Sequence, residues 1–267
     1  MQVPYRTSFN GRLDRLSSLI DRLRVQVSNT LVVGTDGEAA NLMIYQSDEN
    51  GLRLMFCPSV GEGAADHVAT GAGPDETTLV AARIVITGIG RQLISALPRF
   101  ISIPLDEEPY LKAVVAPLIE EVATPRCGGQ AAFQRLCEVV VIRLLRHAME
   151  HGKADTGLLN GLAHPRVAAA LVAIHEAPGE AWTLEKLAAT AGMSRTQFAV
   201  TFRDLVGTTP MGYLANWRLD IARAELEAGR QVKAVAILCG FASPAAFSRA
   251  YSRRFGHSPK KRPVEAV

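Results

Sequence analysis

Residues 183–210, TLEKLAATAGMSRTQFAVTFRDLVGTTP, and residues 232–259, VKAVAILCGFASPAAFSRAYSRRFGHSP, write one pattern twice. In the first copy Ala188 precedes Gly192 by four, and Phe202 leads to Gly207 and Pro210. In the second, Ala236 precedes Gly240 by four, and Tyr251 leads to Gly256 and Pro259 at the same spacings of five and three. The offset is 48 in the first half and 49 in the second, so the second copy has one extra residue in its turn. Each position has a steric reason. Leu184 with Leu187, and Val232 with Val235, give a short helix one apolar face, and the small Ala188 or Ala236 lets a second helix cross closely. Gly192 and Gly240 stand where a sharp turn needs positive φ. Ser194 and Ser243 then cap the next helix, with Gln197 at the capping-box position and Pro244 at the first helical position. Phe198 with Phe202, and Phe247 with Tyr251, lie four apart and anchor one face of that helix to a core. The pattern predicts two helix-turn-helix units, at 183–207 and 232–256.

In such a unit the second helix enters the major groove of double-stranded DNA with its N-terminal residues nearest the base edges, while its flanks hold phosphates. The candidate DNA-binding residues are therefore Ser194, Arg195, Thr196, Gln197, Ala199, Val200 and Arg203 in the first unit. In the second they are Ser243, Ala245, Ala246, Ser248, Arg249 and Arg253. Arg249 is the residue expected to read a base, because a guanidinium bonds guanine O6 and N7 together. Any other of these arginines touches phosphate or solvent as readily as a base. Between the units, Thr209 and Pro210 open a helix whose Leu214, Trp217, Ile221 and Ala224 form a stripe, with Trp217 as a core anchor. About 18 residues at 1.5 Å each give roughly 27 Å of rod, enough to hold two readers about one duplex turn apart.

The chain has 267 residues, 48% hydrophobic and 21% charged, the balance of a globular protein with room for two domains. It contains no apolar run long enough to span a membrane, and its start, MQVPYRTSFNGRLDR, lacks the apolar stretch of a secretory signal. The expected location is the cytoplasm, with no membrane partner. Cys57, Cys127, Cys137 and Cys239 lack CxxC spacing and read as free thiols rather than as a zinc cluster or a disulfide framework. Charge divides the chain: residues 1–160 hold 15 Lys and Arg against 18 Asp and Glu, and residues 161–267 hold 14 against 8. The basic half closes with Arg249, Arg253, Arg254, Lys260, Lys261 and Arg262 and no acid between them, a surface suited to a polyanion.

The doubled unit, the connecting YLANWRLDIARAEL and the ending GFASPAAFSRAYSRRFGHSP together resemble the DNA-binding domain of AraC-type transcriptional regulators over residues 164–260. The likeness is closest in GF at 240–241, FSRAY at 247–251 and RRFGHSP at 253–259. The resemblance implies an all-α domain over 165–267, promoter DNA as partner, RNA polymerase as a further candidate partner, and activation of transcription rather than catalysis. Val200 and Thr201 depart from the basic pair that relatives carry, and Ala234 stands where an acid is common, which weakens the expected base readout of the first unit. KKRPVEAV, interrupted by Pro263, replaces an aromatic-bearing terminal helix.

Residues 1–160 read differently. Leu13, Leu16, Ile20 and Leu23 suggest an opening amphipathic helix, and apolar runs at 31–33, 42–45, 52–57, 79–87 and 101–105 are separated by Gly, Asp and Asn clusters, the mark of strands. In many AraC-type regulators this position holds a cupin-like sensor, and GLRLMFCPSVGEGAADHV, with Gly51, Pro58, Gly61 and His67, resembles a cupin turn. The implied fold class is α+β. A cupin-like antiparallel β-barrel with flanking helices occupies 1–152, a linker 153–164, and the two helix-turn-helix units joined by a long helix the remainder. A metal-binding cupin converges several histidines and a carboxylate on one ion. His67 stands alone, so neither metal nor cofactor is expected, and His67 is the candidate contact for a small effector that the sequence does not name.

Cys57 and Cys137 read as buried packing thiols, with thiol-based redox sensing as the alternative. Helices are expected over 109–124 and 129–151. The second carries Phe133, Leu136, Cys137, Val140, Val141, Leu144, Leu145 and Ala148 on one wide face, which suits either a homodimer through this helix or burial against its own chain. His147 and His151 lie four apart near its end; without a third ligand they read as surface groups beside a helix C-terminus. From Pro165, the residues Val167, Ala168, Leu171 and Ile174 begin the next helix. The leading reading is a transcription factor responsive to a small effector. The competing classes are a cupin-type metal-dependent enzyme fused to a DNA-binding module, which lacks GxSxG, P-loop and Rossmann fingerprints, and an architectural DNA binder without sequence preference.

Overall fold

In the computed structural model of the chain the described residues are 8–9, 12–29, 40–49, 51–58, 75–88, 93, 96–151 and 156–260. They belong to two compact units. A sheet unit holds Arg24–Thr87 and Arg91–Ala154; a helical unit holds Met1–Leu23, Gly88–Gly90 and Asp155–Val267.

The helical unit begins with two short paired strands, β1 (Ser8–Phe9) and β2 (Arg12–Leu13), and one helical turn, α1 (Ser17–Ile20). Asp14 sets that turn, its Oδ1 accepting from the N–H groups of Leu16 and Ser17 at 3.1 and 3.0 Å. Leu16 and Leu19 are buried, and Arg15 donates to the carbonyls of Leu162 and Ala163 at 3.0 and 2.8 Å. These contacts put the start of the chain with the helices that follow residue 155, whereas the sequence reading put it with the sheet. The expected opening helix stops after one turn, because the alternation around Val25 and Val27 favours a strand, β3 (Leu23–Asn29).

The sheet has five strands in the order β3-β6-β4-β5-β7, with β4 at Leu42–Ser47, β5 at Gly51–Phe56, β6 at Glu76–Gly88 and β7 at Ile101–Pro104. β4 pairs antiparallel with both β5 and β6, and β5 with β7. Leu42, Met43, Ile44 and Tyr45 are all buried, so this central strand is covered on both faces. Buried Asn41 extends its pairing: the side chain donates to Ile84 O at 2.9 Å and accepts from Ile84 N at 2.7 Å. Past β7, a short 3-10 turn leads into α2 (Pro109–Ala123) and α3 (Gly129–His151). Gln134 of α3 ties the helix to edge strand β3, donating to Val25 O at 2.7 Å and accepting from Val27 N at 3.2 Å. The apolar stripe of α3, from Phe133 through Leu145 to Ala148, is buried within the chain, with α2 against the helix. Of the two uses expected for that stripe, burial in its own chain takes the face. The expected strands at 42–45, 52–57, 79–87 and 101–105 and both helices are present; the run at 31–33, Gly61 and His67 lie outside the described residues.

Seven helices complete the helical unit: α4 (Leu158–Ala163), α5 (Pro165–Glu176), α6 (Leu184–Thr190), α7 (Arg195–Val206), α8 (Pro210–Glu227), α9 (Val232–Leu238) and α10 (Pro244–Phe255). The segment 153–164 had the Gly and Pro content of a linker, yet α4 forms there, because Leu158, Leu159 and Leu162 bury against α5 and α7. Gly161 permits the approach: a Cβ on it would stand 2.7 Å from Val206 Cγ2 and 2.8 Å from Leu171 Cδ1. The core centres on fully buried Trp217 of α8. The ring of buried His175 lies 4.5 Å from Trp217, and its Nε2 pairs with Tyr213 Oη at 2.7 Å. Burial, with Arg22 adding to it, pushes the His175 imidazole down to about 3, so it is neutral in the fold.

Candidate nucleic-acid interface

Both helix-turn-helix units are built as the repeat predicts. Thr183 Oγ1 caps α6 by accepting from Lys186 N at 3.2 Å. Ser194 Oγ accepts from Gln197 N at 3.3 Å to open α7, and Ser243 Oγ accepts from Ala246 N at 3.1 Å to open α10. α7 and α10 both end on a glycine in the left-handed region, Gly207 at φ +82° and Gly256 at φ +75°. Phe198 and Phe202 are fully buried with ring centroids 5.5 Å apart; Phe247 and Tyr251 repeat the arrangement at 5.6 Å. With those faces turned inward, the opposite faces are open. Ser194, Arg195, Thr196, Gln197, Val200 and Arg203 are exposed on the first unit and Ala245, Arg249 and Arg253 on the second, while Ala199, Ser243, Ala246 and Ser248 are half-buried.

The basic groups on these faces are not equivalent. Arg195 is held at 3.0 Å by Glu185 of α6, whose carboxyl lies below the usual range, first through its own backbone N–H and then through Arg195. Arg203, Arg249 and Arg253 have no ion-pair partner among the described residues. Arg254, next in the basic run, is exposed but reaches back to Asp220 of α8 at 3.4 Å and braces α10. Ser248 donates its hydroxyl to Pro244 O at 2.8 Å, leaving only its lone pairs for a base. Lys260 is exposed; Lys261 and Arg262 lie outside the described residues.

Position in the second unit is fixed by a loop absent from the repeat. Arg218 of α8 donates to Pro178 O and Glu180 O, both at 2.7 Å, and Trp182 Nε1 donates to Ala177 O at 2.8 Å. The loop so held presses on the turn between α9 and α10: a Cβ on Gly240 would meet Gly179 O at 2.6 Å, and one on Gly179 would meet Leu238 O at 2.7 Å. At Gly192, in the equivalent turn of the first unit, nothing lies within 4 Å. Gly240 is therefore required twice over, by its φ of +70° and by this contact. An Arg some 40 residues after a Pro-Gly loop is a weak signal, and the repeat does not announce this buttress.

In the sheet unit, Cys57 and Cys137 are buried, burial pushing the first thiol up and the second to about 12. Cys239, buried in the helical unit, is pushed up to about 11 by burial, and Cys127 is exposed. High values disfavour the thiolate that redox sensing needs. His147 and His151 sit side by side at the end of α3 as their spacing requires, and Glu108 stands beside them, 2.7 Å from His147 Nδ1. That third group is 39 residues away in sequence, and no local pattern announces it.

Comparison with known proteins agrees with this geometry. Residues 187–261 match the Helix-turn-helix domain family and residues 30–150 the Cupin family. The chain is 31% identical over 191 residues to the RCS-specific HTH-type transcriptional activator RclR of Escherichia coli (strain K12), covering 69% of this chain and 67% of that protein. It is 32% identical over 177 residues to the HTH-type transcriptional regulator AlkR of Acinetobacter baylyi, covering 64% of this chain and 58% of that protein. The chain thus spans about three fifths to two thirds of the length of these relatives. Among solved structures, the DNA-binding domain of AdpA, a global transcriptional factor in complex with a target DNA, is 35% identical, covering 36% of this chain and 86% of that chain with a TM-score of 0.34. Relatives from Streptomyces lividans and Streptomyces antibioticus are named AraC-like transcription regulators. With a cupin domain ahead of a doubled helix-turn-helix, the chain belongs to the AraC-like family of HTH-type transcriptional regulators.

Proposed function

We propose that this chain regulates promoters by inserting α7 and α10 into the major groove, that Arg249 supplies the principal base contact, and that the sheet unit receives a small effector that alters DNA binding. The observation that carries the reading is the pair of serine-capped helices, each buried on its aromatic face and open on the other, with Arg203, Arg249 and Arg253 free to meet DNA. α8, at 18 residues, is about 27 Å long and joins the two readers. The remaining candidates, Ser194, Thr196, Gln197, Ala199, Ser243, Ala245, Ala246 and Ser248, serve the groove walls and phosphates, while Arg195 stands at the same surface held back by Glu185. The curated relatives are regulators, which supports recognition rather than catalysis. Among the described residues no helix is long and apolar enough to cross a membrane, in keeping with a cytoplasmic protein that works on DNA.

Two copies acting together would double the operator contacts. Since the apolar stripe of α3 is already engaged, such a homodimer uses the outer face of that helix, where Val139 is exposed. RNA polymerase is the further partner that an activator would touch. The test is selection of fragments from sheared genomic DNA of the source organism by the purified chain, with and without a metabolite panel. The reading expects a small set of promoter fragments sharing one motif, with retention changed by at least one metabolite. Retention of all fragments alike would replace it with an architectural DNA binder.

A further inference from the structure

Away from the DNA-facing helices, three side chains that carry metal-binding chemistry converge at one end of the α2–α3 hairpin. Glu108 immediately precedes α2, and His147 and His151 stand one turn apart at the end of α3. Glu108 Oε1 lies 2.7 Å from His147 Nδ1 and 4.0 Å from His151 Nδ1, and one donor atom from each of the three lies within 4.8 Å of the others. The two imidazoles stack with centroids 4.5 Å apart. Glu108 occupies the N-cap position of α2 without a side-chain cap bond, and its carboxylate reaches across to α3. Lys112, one turn along α2, is held by Asp106 at 2.6 Å.

We propose that Glu108, His147 and His151 bind a divalent transition-metal ion of zinc's class, with water completing the coordination. Two imidazoles and one carboxylate suit zinc, nickel, cobalt or copper and not calcium or magnesium, which take all-oxygen sites. Tetrahedral bonds of about 2.1 Å set neighbouring donors about 3.4 Å apart. The observed 2.7 and 4.0 Å straddle that separation, so small rotamer adjustments seat the ion. Histidines at i and i+4 project from one face of a helix, and the carbonyl end of α3 adds a field that favours a cation. The His147 and Glu108 side chains are 26% and 24% exposed and that of His151 is 58% exposed, which gives the ion an entry path and leaves room for water. His151 Nδ1 also lies 3.3 Å from the carbonyl oxygen of His147, a contact that the ion would replace, while Glu108 already stands at both imidazoles. Bound there, the ion ties the start of α2 to the last turn of α3, whose final residue His151 is four residues before the helical unit resumes at Asp155. The site is independent of the DNA-binding reading.

The experiment uses the full chain, freed of metal with a chelator, titrated with Co2+ under visible absorption and then competed with Zn2+. The expected result is one Co2+ per chain with ligand-field bands, displaced by Zn2+. Glu108→Gln, His147→Ala and His151→Ala should each weaken binding by about tenfold or more. All three side chains are partly exposed, so circular dichroism should be unchanged and the loss cannot be misfolding. Absence of stoichiometric Co2+ and Zn2+ binding, or unchanged affinity in the His147→Ala/His151→Ala double variant, overturns the site. Retention of genomic DNA by the same preparations separates the two readings. DNA retained without metal binding refutes the metal site alone, and metal bound without DNA retention refutes the regulator reading alone.

Discussion

Laid in register, the two helix-turn-helix units share what faces the core and differ in what faces outward. Ser194 and Ser243, Phe198 and Phe247, Phe202 and Tyr251, and Gly207 and Gly256 correspond, and each pair does the same structural work. The outward positions set Glu185 against Lys233, Val200 against Arg249 and Asp204 against Arg253. The first unit ties its Arg195 to an acid and leaves Arg203 open, while the second turns Arg254 back to Asp220 and leaves both Arg249 and Arg253 open. Packing constrains one face of the second helix in each unit; the other face is free to diverge, and here it has diverged in charge. The scaffold is duplicated, and under the proposed function base reading is concentrated in α10.

The buttressing loop supplies the largest expected contrast. Gly240→Ala meets a left-handed cost of about 1–2 kcal/mol together with an overpacking cost of about 1–3 kcal/mol against Gly179, since the new Cβ would lie 2.6 Å from Gly179 O. Gly192→Ala meets the left-handed cost alone. Denaturant unfolding followed by tryptophan fluorescence reads this directly, because Trp182 and Trp217 both belong to the helical unit. Equal midpoints for the two variants would show that the loop does not hold the second unit.

Acidification probes the rod that joins the units. His175 is neutral in the fold with a value near 3, against 6.5 when unfolded, so the unfolded state binds the extra proton between those values. Stability is fully present above pH 6.5 and falls as pH drops toward about 3, at up to about 1.4 kcal/mol per pH unit, or about 2 kcal/mol by pH 5. His175→Gln should flatten this slope relative to wild type in the same fluorescence assay; an unchanged slope would remove His175 as its source.

On DNA the asymmetry is smaller in energy but more specific. Arg249→Ala should weaken operator binding by about 1–3 kcal/mol and relax preference at one base position, whereas Val200→Ala, at the matching place in α7, should do neither. A loss uniform across sequences would make Arg249 a phosphate contact. The smallest effect belongs to Glu185→Gln, which frees Arg195 for the duplex and should raise the logarithmic salt dependence by about one phosphate contact. An unchanged slope would keep Arg195 out of the interface.

What the sequence discloses follows from how local each cause is. Caps, hinge glycines and aromatic anchors act within four residues of one another, so both helix-turn-helix units, α2 and α3 were legible from spacing alone. The sheet strands at 42–45, 52–57, 79–87 and 101–105 were legible from apolar runs, but β3 was not, since Leu13, Leu16, Ile20 and Leu23 carry a helical spacing that runs into it. α4 was hidden by its Gly and Pro neighbours, although Leu158, Leu159 and Leu162 supply its buried face. The groups that matter most beyond the readers are non-local: Arg218 on a loop 38 to 40 residues earlier, Glu108 on a histidine 39 residues later, and Arg15 on carbonyls 147 and 148 residues away. Each is an ordinary charged residue until folding chooses its partner.

The most direct measurement of the central claim compares, at one fixed salt concentration, the affinity of the purified chain for its selected operator with that for a scrambled duplex of equal length and composition. A sequence-reading pair of helices predicts a ratio of at least about a thousandfold, reduced by Arg249→Ala and left intact by Val200→Ala. Equal affinity for the two duplexes would contradict it.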